Sequence, residues 1–145
     1  MLIGSSINQA PELFKCAMWG VPFVNVVCTM IDASIPLTAL ELVEWGNPNE
    51  VKYHEYSPMN TIRPGLKYPV CWLTGKLYDP RVPHWEPAKL AATLRHALSA
   101  DSGPICVKMD MSAGHFSASD LYEYLKELAS DDAFMLDQVG TADKE

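Results

Sequence analysis

Three short apolar runs alternate with stretches of helical period along this chain, and that alternation sets the expected architecture. The first ten residues, MLIGSSINQA, predict a short helix that stops before Pro11. Lys15 to Gly20 is a brief apolar run closed by Gly20 and Pro22, as a buried strand would be. From Phe23 to about Trp45 the chain is apolar but broken by Pro36, which predicts short helices over a sheet, and Gly46-Asn47-Pro48-Asn49 follows as a turn cluster. A Pro/Gly-punctuated connection leads to Val70-Cys71-Trp72-Leu73-Thr74, a second buried strand.

The period then changes. Glu86-Pro87 opens a helix, with proline tolerated in its first turn, and Leu90, Leu94 and Leu98 repeat along one face. Ser102-Gly103-Pro104 ends that unit, and Ile105 to Met111 is a third strand. After the small-residue loop Ser112-Ala113-Gly114-His115 comes an amphipathic helix with Leu121, Tyr124, Leu125 and Leu128 on one face. From Asp137 the chain turns polar and is expected to fray. Strands alternating with helices imply an α/β fold with a parallel sheet. Asp79 falls just after the second strand and His115 just after the third. Right-handed crossovers would bring both to the carboxyl edge of the sheet, where such folds place their chemistry.

Composition narrows the function classes. Apolar residues make up 48% and charged residues 20%, an ordinary globular balance. The net charge of −7, uninterrupted by any Lys/Arg cluster, argues against nucleic acid or an anionic membrane and is compatible with cationic ligands. Cys16, Cys28, Cys71 and Cys106 form no C-x-x-C pair and read as buried free thiols of a reducing compartment. With neither a signal-peptide pattern at the N-terminus nor a long apolar span, a cytosolic protein is expected. His54, His84, His96 and His115 show no zinc spacing, and no glycine-rich phosphate loop follows a strand, so neither metal nor cofactor is expected.

An Asp followed by a His on successive strand ends matches the later two members of a Ser-Asp-His triad in α/β-hydrolase order. On residue type alone, Asp79-Pro80 is more often a turn and His115 more often a loop residue than members of a site. Asp110, five residues before His115, is a competing acid. For Glu41 and Glu44 the alternative reading is a solvated helix face, and Trp45 and Trp85 read as core aromatics rather than substrate platforms.

The segments PELFKCAMWGVPFVNVVCTMIDASIPLT, EWGNP, YSP-x-N, LYDPRV-x-x-WEPAK and MSAGHFSAS, in this order, resemble oligopeptidase B, the trypsin-like branch of the prolyl oligopeptidase family of serine peptidases. The resemblance covers residues 1–136, the C-terminal part of that catalytic domain, and leaves 137–145 as a polar tail. It implies a partial α/β-hydrolase fold: the last three parallel strands with flanking helices, the N-terminal half of the sheet being missing. It implies Asp79 as the triad carboxylate and His115 as the general base. Glu41 matches the acid that receives a basic side chain, while Val43 stands where a second acid is common. Where the family often has Ser-Gly-Arg, this chain has Ser119-Asp120-Leu121. The stretch around Tyr56-Ser57-Pro58 is shortened and that from Arg63 to Tyr68 lengthened.

The family's Gly-x-Ser-x-Gly-Gly elbow would precede the first helix, and Ser5 and Ser6 lack its flanking glycines. The chain alone is therefore expected to be inactive. Its full-length form would cleave short basic peptides after Arg or Lys, with the upstream part of the catalytic domain and a propeller domain as partners. The alternative is a non-catalytic α/β-hydrolase-like binding protein or a pseudoenzyme fragment.

Overall fold

A computed structural model describes residues 1–35, 38–47, 52–115 and 121–140. The three apolar runs become strands β1 (Cys16–Gly20), β2 (Val70–Lys76) and β3 (Ile105–Asp110), parallel and in the order β1-β2-β3. Register is fixed by which side chains must be buried. Ala17, Cys71 and Ile105 lie in one cross-strand row, and Trp19, Leu73 and Val107 in the next. These rows form the core with Ile7 of helix α1 (Leu2–Gln9) and with Leu90, Ala91 and Leu94 of helix α4 (Trp85–Ala97). Helix α1 comes very close to the sheet: a Cβ on Gly4 would sit 2.8 Å from both Trp19 and Pro58. Gly4, Ile7 and Asn8 are its buried positions, while Ser5 and Ser6 are only half-buried.

Two short helices follow β1 on the way to β2: α2 (Val26–Met30) and α3 (Thr38–Trp45). Pro36 and the Pro48-Asn49 half of the turn cluster lie outside the described residues. A second core gathers Val26, Met30 and Tyr53, with Phe23, Leu42 and Trp45 packed against it. Trp45 is thus a core aromatic, whereas Trp85 is 40% exposed at the start of α4, its ring edge-on to His84. The reason is position: Trp85 is the first residue of α4, one residue before the fully buried Glu86.

The opposite face of the sheet carries Trp72, Lys76 and Lys108 beneath helix α5 (Leu121–Val139). The helix docks there largely through polar contacts. Trp72 Nε1 donates to Asp131 at 2.8 Å, Lys76 pairs with Glu127 at 3.3 Å, Lys108 donates to Ser130 at 2.8 Å, and the Trp72 and Phe134 rings stack. Its apolar positions Leu121, Tyr124, Leu125 and Leu128 remain between 38% and 64% exposed. The helix continues to Val139, beyond the point where the polar composition suggested fraying. The four thiols are free; Cys71 is buried and Cys28 exposed, so only part of that expectation holds. No described helix is long and apolar enough to cross a membrane.

Among the described residues β1 pairs on one side only, and Leu2 and Ile3 of α1 stand exposed. An open strand edge next to apolar surface templates association. The isolated 145-residue chain is therefore expected to self-associate with rising concentration, measured by light scattering; a monodisperse monomer at high concentration would contradict this.

Candidate active site

The loops leaving β2 and β3 are joined to each other before they reach the site. Leu77 N–H donates to Asp110 O at 2.8 Å and Tyr78 N–H to Ala113 O at 3.3 Å. This pairing carries Asp79 and His115 to the same edge. His115 Nδ1 lies 2.8 Å from Asp79 Oδ2 and 3.0 Å from Oδ1. The ionised carboxylate can only accept, so Nδ1 carries the proton and the basic lone pair is placed on Nε2. The Asp79 side chain has no exposure, and that of His115 is 25% exposed. A buried carboxylate needs compensation. Oδ1 receives the backbone N–H groups of Arg81 at 2.8 Å and Val82 at 2.9 Å, which also fix the carboxylate's rotation.

Asp110 does not compete for this role. Its Oδ1 accepts from the backbone N–H of Ser112 at 2.7 Å, from the Ser112 hydroxyl at 2.8 Å and from the Ala113 N–H at 3.1 Å. Those bonds, the Ser112 amide foremost, hold its carboxyl below the usual carboxylate range. It shapes the loop that presents His115.

His115 opens onto a cleft of about 360 Å³. The far wall comes from the segment between β1 and β2, with Phe23, Thr29, Thr38, Glu41, Glu44 and Trp45; Arg81 and Val82 close the near side. Phe23 meets Trp45 edge-on at 5.5 Å, and Trp45 stacks on Tyr56 at 6.3 Å, giving that wall an aromatic backing. The turn into it is abrupt: Val21, between β1 and Pro22, has φ of +43°, a left-handed conformation uncommon for a β-branched residue. Glu41 is half-buried and lines the cleft. Val43 is 92% exposed and points away, while Glu44, three residues on from Glu41, supplies the cleft's second carboxylate.

Ser5 lies on a separate polar groove with Asn8, Gln9 and Arg63, and neither Ser5 nor Ser6 lines the cleft. Burial pushes the Cys71 thiol up to about 12, which removes it as a nucleophile. No cluster of metal-ligating side chains is found among the described residues. One buried group escaped sequence reasoning altogether. Glu86 in the first turn of α4 is 0% exposed and accepts from Val24 N–H at 3.0 Å, Asn25 N–H at 2.7 Å and the Thr29 hydroxyl. A Glu in a first helical turn reads as an ordinary dipole-favoured acid, so nothing in the pattern marked it.

A family profile described as "Prolyl oligopeptidase family" matches residues 1–142. "Protease 2" of Moraxella lacunata is 43% identical over all of this chain, which matches 21% of that protein. Oligopeptidase B from Leishmania major superposes with a TM-score of 0.90 at 46% identity, over 96% of this chain and 20% of that one. Oligopeptidase B from Trypanosoma brucei, solved in a closed form with covalently bound antipain, gives 0.89 at 48% over the same shares. The chain thus spans about a fifth of the length of these relatives.

Proposed function

The chain belongs to the prolyl oligopeptidase family, and from that membership we propose that it is the acid–base and specificity part of an oligopeptidase B-type serine peptidase cleaving short peptides after Arg or Lys. The observation that carries this reading is the Asp79–His115 contact, made by residues from successive strand ends. In the proposed mechanism a serine from a segment preceding α1 attacks the scissile carbonyl while His115 Nε2 takes the hydroxyl proton. Asp79 holds the imidazole in the required tautomer and stabilises the imidazolium. His115 then returns the proton to the leaving amine. In the second half a water gives its proton to His115 and its oxygen to the acyl carbon, and the serine is released protonated.

Specificity follows from charge. A substrate guanidinium entering the cleft meets Glu41, with Glu44 alongside and Thr29 and Thr38 as polar neighbours. The net charge of −7 favours the approach of basic peptides. The upstream part of the catalytic domain would supply the serine and cover the open edge of β1, and a propeller domain is expected beside it. None of these steps calls on a metal or an organic cofactor.

The test uses two proteins: the 145-residue chain, and a restored enzyme in which these residues replace the matching segment of the Moraxella lacunata relative. Each is treated with a fluorophosphonate probe. Labelling of the restored enzyme at its upstream serine, with none on the chain alone, is the expected result. Labelling of Ser5 or Ser6 on the chain alone would overturn the reading, and a folded but unlabelled restored enzyme would favour a non-catalytic binding role.

A further inference from the structure

We propose that Glu86 is a positioning residue that sets the width of the basic-substrate cleft by tying the wall that carries Glu41 to the loop that carries Asp79; this rests on the peptidase reading above.

Glu86 stands between the two halves of the site. On its own side, its backbone N–H donates to Pro83 O at 2.9 Å, and the turn before it is held by the Arg81 and Val82 amides on Asp79. On the other side, its carboxylate takes both amides of the Val24–Asn25 turn and the Thr29 hydroxyl. The Thr29 carbonyl accepts from the Thr38 hydroxyl at 3.0 Å, and Thr38 is the first residue of α3, which presents Glu41. A continuous path of short polar contacts therefore runs from α4 through Thr29 and Thr38 to the helix of Glu41. Val24 is clamped from behind as well, its carbonyl receiving the Ser57 hydroxyl at 2.9 Å and the Met59 N–H at 3.1 Å. Burying a carboxylate away from solvent is costly unless it is fully hydrogen-bonded, and an apolar residue would fill the space without that cost. What the carboxylate adds is direction: two fixed amides and one hydroxyl define where the wall stands. Thr29 itself faces the cleft, so any movement of this contact is felt by the substrate side chain.

Two variants separate geometry from charge. Glu86→Asp keeps the charge but withdraws the carboxylate by one methylene, so it cannot hold both sides. Glu86→Gln keeps the length; its carbonyl oxygen can accept the two amides, and its NH2 can donate to the Thr29 hydroxyl, which rotates to accept. In the restored enzyme, Glu86→Asp should raise KM for an arginyl amide by about tenfold, since small misplacements of binding groups are expensive. It should leave kcat within about twofold and the pH profile of kcat unmoved, because the Asp79–His115 contact is untouched. Glu86→Gln should restore KM to within about threefold of the parent. In the 145-residue chain at low concentration, Glu86→Asp should speed amide exchange across residues 22–30 while α4 keeps its protection.

An unchanged KM in Glu86→Asp would overturn the proposal, as would equal damage in both variants or unchanged exchange at residues 22–30. If the parent restored enzyme is inactive, the peptidase reading fails; the exchange measurement then decides on its own whether Glu86 holds the wall.

Discussion

Replacing His115 by alanine in the restored enzyme is expected to lower turnover of an arginyl amide by about 10⁶, the loss seen when a triad base is removed from a comparable serine peptidase. The size follows from the geometry. His115 is the group placed to take and return the proton, and its Nδ1 is committed to Asp79 at 2.8 Å. Asp79→Asn should cost about 10⁴, because an amide NH2 facing Nδ1 favours the wrong tautomer. Asp110→Asn should fall far short of either, since the Asp110 carboxylate accepts from the Ser112 and Ala113 groups of its own loop. Steady-state kinetics of the three variants rank the acids directly. If Asp110→Asn proved the more harmful of the two Asp replacements, the assignment of the carboxylate would be wrong.

Glu41→Gln is expected to remove preference rather than chemistry. An arginine side chain drawn into the cleft loses a charged partner and keeps a neutral one, which at a desolvated charge pair costs about 2–5 kcal/mol. Glu41 is only half-buried and Glu44 shares the cleft, so the lower end applies: about 2 kcal/mol, or on the order of thirtyfold in kcat/KM. Cleavage after an apolar residue should stay near its parent value. Comparing kcat/KM for arginyl and phenylalanyl amides measures this, and equal losses on both would remove the case for Glu41.

The fold was largely legible because its signals are local. Each strand is a short apolar run closed by Gly, Pro or a polar loop, and the four-residue leucine repeat of α4 reads as one buried face. Asp79 and His115 could be placed at one edge because parallel order and short loops leave little freedom after β2 and β3. Three features needed coordinates. Helix α5 has an apolar stripe that stays partly exposed, while its contacts to Lys76, Lys108 and Trp72 run through Glu127, Ser130 and Asp131. That Glu44 lines the cleft beside Glu41 while Val43 is exposed depends on how α3 is rotated, which the sequence of one helical turn does not reveal. Glu86 was invisible because two of its three partners are backbone amides about 60 residues away, and backbone donors leave no trace in side-chain pattern.

The most direct test of the central claim, that Asp79 and His115 complete a serine peptidase site, is a single comparison of arginyl-amide hydrolysis. Two restored enzymes are measured, one carrying the parent segment and one carrying His115→Ala, each first shown to be folded and matched in protein concentration by absorbance. Turnover of the parent well above background, with loss of nearly all of it in His115→Ala, is the predicted result. Comparable turnover in both would contradict the claim, and so would a folded parent with none.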